Sequence, residues 1–94
     1  MVDINYERIP AHMQPGAQRY IEDGIKPGGF LYAVLTNNLK AVFGQADETN
    51  KAHLQDWVYW LHWDIPSDSQ GSEAKVDAWI KRGGLKGMNP EGSQ

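Results

Sequence analysis

The side chains of this chain that could carry out chemistry are scattered along it rather than gathered. His53 and His62 are nine residues apart, a rotation of about 900° at about 100° per residue, so they point to opposite faces of any helix that holds both and cannot share a metal there. His12 lies far away in sequence. No HExxH, calcium-loop or phosphate-loop pattern is present, and the pairs Gly28–Gly29 and Gly83–Gly84 lack the strand-to-helix setting of a phosphate cradle. With no cysteine, disulfides, thiolate metal sites and thiol nucleophiles are excluded. The acid pairs Glu22–Asp23 and Asp47–Glu48 consist of neighbours that diverge on a helix, so helix ends and caps account for them better than acid–base work. Ser67, Ser69 and Ser72 have no nucleophile-elbow context. Neither a catalytic set nor a metal or cofactor is expected. Arg19 is open to two roles, a structural pair with Glu22 or Asp23, or an anion contact at an interface.

The other concentrated feature is aromatic. Residues 53–65, HLQDWVYWLHWDI, hold three of the four tryptophans, Trp57, Trp60 and Trp63, together with Tyr59. Leu54, Trp57, Val58, Leu61 and Ile65 make one apolar stripe, expected to face the core. Trp60 and Trp63 fall on a second stripe, for which three readings stand. They are core in a helix packed on two sides, or with Tyr59 they anchor a protein-binding or self-association patch, or they stack a base or nucleotide whose phosphates would need cations such as Arg19, Lys26 or Lys40.

Four helices position these groups. Pro10 suits a first turn, and Met13, Ala17, Tyr20 and Ile21 recur at helical spacing until Gly24, which gives a helix over 11–23. After the turn GIKPGG, a second helix carries Leu31, Val34, Leu35, Leu39 and Val42 on one stripe with Phe43 beside it, and stops at Gly44. Its insertion Thr36–Asn37–Asn38 is poor helix-interior sequence. It reads as a solvent-facing turn, or as an amide pair, Asn37 and Asn38, that contacts a partner. Asp47 caps the third helix, which Pro66 ends, and Ser72 caps a fourth carrying Val76, Trp79 and Ile80 to the glycines at 83 and 84. Residues 1–8 are expected as an extended arm and 84–94 as a mobile tail. The expectation is a single all-α domain over 1–94, a compact irregular bundle of about four helices with its ordered core at about 9–83.

Composition narrows the function classes. At 94 residues there is room for one core, and large aromatics raise apolar burial per residue in so small a domain. Nine basic against twelve acidic residues give a net charge of −3, which disfavours nucleic-acid binding by counterion release. No segment approaches a membrane span or a signal peptide, so a soluble cytoplasmic protein is expected.

The segments HMQPGAQRYIEDGIKPGGFL, AVLTNNLKAVFGQAD and GSEAKVDAW, which span most of residues 9–80, resemble a family of small proteins of unassigned function encoded by bacteriophages and prophages. The resemblance implies an accessory protein acting in the bacterial cytoplasm by stoichiometric binding to a host or defence-system protein, and it carries over no catalytic residues. The leading expectation is thus a non-enzymatic module that binds and modulates such a protein, or pairs with a second copy, through Tyr59, Trp60, Trp63, Asn37 and Asn38. The alternative is a protein that sequesters a nucleotide-type ligand.

Overall fold

In the computed structural model, which describes residues 4–87, every regular element is helical. A short 3₁₀ turn at Ala11–Met13, entered through Pro10, runs into α1 (Gln14–Asp23), with Pro15 in its first turn. Gly24 ends α1 in the left-handed region at φ 71°. Beyond the GIKPGG turn lie α2 (Gly29–Leu35) and α3 (Leu39–Gln45). Then come α4 (Glu48–Ala52), α5 (Leu54–Tyr59), one π-helical turn at Trp60–Asp64 and a 3₁₀ turn at Ser67–Ser69. Finally α6 (Glu73–Arg82) passes through Gly83, at φ 91°, into the single turn α7 (Gly84–Gly87).

The all-α expectation holds among the described residues, but two of the expected helices are each divided. Thr36–Asn37–Asn38 cuts the second one. The Thr36 hydroxyl donates back to the Tyr32 carbonyl at 2.8 Å, Asn37 turns the chain at φ 63°, and the Asn38 side chain caps α3 by accepting from the Ala41 N–H at 3.2 Å. Asparagine is among the few residues that tolerate this left-handed conformation and also cap well. The turn resets the helical register, so Leu39, expected on the inner stripe, stands 80% exposed. In the third helix, the break comes at His53, which both closes α4 and opens α5 at φ −115°. The caps at Asp47 and Ser72 form as their residue types require, accepting from the N–H groups of Asn50 at 2.7 Å and Lys75 at 3.2 Å.

Three tryptophans and Tyr20 form the centre of the core. Phe30, Trp57, Trp60 and Tyr6 make a continuous aromatic row with centroids 5.4, 5.6 and 6.3 Å apart, the first two contacts edge-to-face, an arrangement favoured by the ring quadrupoles. Trp79 joins the two ends of the fold. Its indole N–H is shared between the Tyr20 and Ile21 carbonyls at 3.1 and 3.2 Å, which satisfies acceptors near the C-terminal end of α1. Beside it Gly24 and Gly84 pack backbone to backbone. A β-carbon on Gly24 would lie 2.7 Å from the Gly84 nitrogen, and one on Gly84 would lie 2.6 Å from the Gly24 nitrogen.

Both chain ends depart from expectation where they are described. Ile9 is buried and Tyr6 lies against Trp60, so residues 4–9 strap the core rather than reach out as an arm, and Arg8 fixes the strap to Asp64 at 2.7 Å. Residues 84–87, expected in the tail, form α7, which packs on α1 with Gly84 buried and Lys86 paired to Asp23 at 2.6 Å. The rest of the expected tail, 88–94, lies outside the described residues.

Candidate functional site

The expected contact surface of Tyr59, Trp60, Trp63, Asn37 and Asn38 does not form a single face. Trp60 is fully buried, and this corrects its assignment as an exposed anchor. It stands three residues after Trp57, on the same side of α5, and the strap supplies Tyr6 to cover it. Its indole N–H finds no acceptor among the described residues, whereas that of Trp57 donates to buried Asn50 at 3.2 Å. The π-helical turn beginning at Trp60 changes the helical phase, and Trp63 emerges 68% exposed, edge-on to His62 at 4.4 Å. Tyr59 is 43% exposed, with the Arg8 guanidinium 5.7 Å from its ring centre.

Rotation of the buried face towards Trp57 and Trp60 has a counterpart on the other side of α5. Val58, expected in the core, is 62% exposed, while Leu54 and Leu61 are half-buried. Facing them across a shallow hollow of about 140 Å³ are residues of α3, including Leu39 and Phe43, the latter 64% exposed. Asn37 and Asn38 also line the hollow, and no charged residue does. Asn38 uses its side-chain oxygen as the α3 cap, leaving its amide N–H donors free of that role, and the Asn37 side chain makes no hydrogen bond among the described residues. Asn37 and Asn38, expected on one face with Tyr59, Trp60 and Trp63, thus stand at this hollow instead. The sequence reading missed this hollow, since Leu39 and Val58 were expected on inner stripes and Phe43 beside one. The signal that could have found Leu39 and Phe43 was the asparagine break itself, since a helix that restarts after it no longer keeps the old stripe inside.

Arg19 lies elsewhere. It lines a larger open groove of about 430 Å³ between the start of α1 and the Ile25–Leu31 segment, together with His12 and Lys26. Neither acid expected to pair with it does so. Glu22 accepts hydrogen bonds from Tyr6 and Gln18, each at 3.3 Å, and Asp23 is held by Lys86. Lys40, the third cation considered for a phosphate, is exposed and does not line this groove. His12 Nε2 stands 3.1 Å from Asp47 Oδ2. The Asp47 carboxyl is held below the usual carboxylate range, first by the Asn50 backbone N–H and also by His12.

No set of three or more histidine, aspartate or glutamate side chains converges among the described residues in a way that could hold a metal ion. No helix among them is long and apolar enough to cross a membrane. Comparison with protein-family models, with curated proteins and with solved structures finds no match to this chain.

Proposed function

We propose that this protein acts as a non-enzymatic binding module whose contact surface is the α3–α5 face, with Leu39, Phe43 and Val58 as its apolar anchors and Asn37 and Asn38 as its polar edge. The observation that carries this reading is the exposure of those three side chains, 80, 64 and 62%, around one uncharged hollow. Large apolar residues gathered in this way mark interaction surfaces more often than singly scattered ones do. The hollow is close to the roughly 150 Å³ of a cavity that takes up benzene, so it suits one large apolar side chain of a partner. The absence of charge in its lining favours an apolar, uncharged partner segment, because a buried charge without a counter-charge costs several kcal/mol. The free amides of Asn37 and Asn38 are placed to meet backbone groups at the edge of such a segment. The resemblance to phage-encoded proteins makes a bacterial host or defence protein the proposed partner, in the cytoplasm.

Site-specific photo-crosslinking in bacterial cells tests this reading. Photoreactive residues at Leu39 and Val58 are expected to capture the same protein, Ala78 on α6 to capture none, and Phe43→Ser to remove the adduct. Adducts of equal intensity from all three positions would overturn the assignment of the face. Adducts only with a second copy of the chain would replace the host partner with self-association.

A further inference from the structure

The groove that holds Arg19 shares no lining residue with the α3–α5 face and has a different character. It is lined by His12, Arg19 and Lys26, with Met13, Ile25 and Phe30 among its apolar residues, and no aspartate or glutamate lines it. In a chain with twelve acidic and nine basic residues, that one-sided lining runs against the overall charge. Of the neighbouring acids, Asp23 is held by Lys86, Glu22 by Tyr6 and Gln18, and Asp47 by His12 of the lining itself. Among the described residues Arg19 and Lys26 form no ion pair, and the Lys26 ammonium lies 5.4 Å from the centre of the Tyr32 ring.

We infer that this groove is a binding site for a small organic phosphate of the nucleoside monophosphate class, with Arg19 and Lys26 on the phosphate and the Met13–Ile25–Phe30 side against the organic body. A guanidinium presents paired donors that match phosphate oxygens, and an ammonium adds a mobile point charge. The volume lies within the roughly 300–1,000 Å³ typical of small-ligand sites. His12, whose Nε2 stands 3.1 Å from Asp47 Oδ2, lines the same groove. The inference does not depend on the docking face, and the chemistry asked of the site is recognition alone.

Calorimetric titration of the full chain with adenosine monophosphate, adenosine, inorganic phosphate and a phosphoserine peptide decides it. Saturable binding is expected for the nucleotide, weaker binding for inorganic phosphate and none for adenosine. Both Arg19 and Lys26 are exposed, so Arg19→Gln and Lys26→Gln should retain the wild-type melting temperature while each weakens the nucleotide by about tenfold or more, the scale of one charge-assisted hydrogen bond. Equal affinity for adenosine and its monophosphate would overturn phosphate recognition. An unchanged titration in the Arg19→Gln, Lys26→Gln double variant would overturn the location, and tighter binding of the phosphopeptide than of the nucleotide would overturn the ligand class.

Discussion

The Trp79 side of the molecule and its Phe43 side use the same apolar currency to opposite ends. Around Trp79, Tyr20 and Ile21 are fully buried, the indole N–H is satisfied, and two glycines bring backbones together too closely for any side chain to fit between them. Around Phe43, whose ring has the Lys51 ammonium 5.4 Å from its centre, there is an edge instead, where Leu39, Phe43 and Val58 stand exposed beside a hollow that no described residue fills. The contrast teaches that apolar content alone does not separate core from contact surface in a domain this small. What separates them is whether a second element closes over the stripe, as α7 and the strap do on one side and nothing described does on the other.

The largest break in that contrast is expected from Trp79→Ala. Emptying a fully buried indole costs about 3–5 kcal/mol, and the substitution also removes the donor from the Tyr20 and Ile21 carbonyls. Against a total stability of about 5–15 kcal/mol for a native domain, chemical denaturation should report a mostly unfolded or severely weakened protein. Trp60→Ala belongs in the same range because that side chain is equally buried.

A somewhat smaller loss, about 2–4 kcal/mol, is expected for Gly24→Ala, which combines a β-carbon in the left-handed region with contact against the Gly84 backbone. An alanine at Gly44, where no atom lies within 4 Å and the backbone is helical, should be neutral or slightly stabilising in the same denaturation experiment.

Alkaline pH probes the closed side more gently. Burial, with Asp77 and Tyr32 adding in the same direction, pushes the Tyr20 hydroxyl well above its ordinary value. The folded state therefore holds that proton more tightly than the unfolded chain, whose tyrosines ionise near about pH 10. The contribution is intact below that value and is lost as pH rises through and beyond it. Tyr20→Phe removes the 2.7 Å bond to the Ser69 carbonyl, a loss of about 1 kcal/mol at neutral pH. The variant should also lose less stability than the wild type as pH is raised above 10, while Tyr6, pushed up first by its own burial and then by Glu22, keeps part of the slope. Melting temperatures across the alkaline range check both statements.

The smallest effects on stability belong to the open edge. Phe43→Ser and Trp63→Ala should each stay within about 0.5 kcal/mol of wild type, as exposed positions do. Only Phe43→Ser is expected to remove the crosslink from Val58. A large destabilisation by Phe43→Ser would erase the contrast between the two sides, and loss of the crosslink in Trp63→Ala would extend the contact surface to the π-helical turn.

Much of the helical punctuation was legible because it depends on one residue and its immediate neighbours. Asp47 and Ser72 cap, Gly24 and Gly83 stop, and Pro66 ends the aromatic helix, all where their side chains or their freedom at positive φ require. Which stripe faced inward was less legible, because that depends on what arrives from elsewhere in the chain. Nothing in the spacing of Trp57, Trp60 and Trp63 announces that Tyr6 covers the second of them and that a π-helical turn swings the third outward. Of the two roles open to Arg19, the pair with Glu22 or Asp23 fails for a similar reason, since those acids are claimed by Tyr6, Gln18 and Lys86. For the candidate sites, the sequence offered residue types, and the long-range contacts decided which of them meet.

The junction of Trp79 with the end of α1 also bears on synthesis. Its partners are 59 residues apart in the chain, and at a translation rate of about 5–20 residues per second they emerge about 3–12 s apart. During that interval α1 lacks both the indole that donates to its Tyr20 and Ile21 carbonyls and the glycine that packs against its end. A helical protein assembled largely from neighbours would fold as it is made, whereas here the buried face of α1, Ala17, Tyr20 and Ile21, waits for a partner made late.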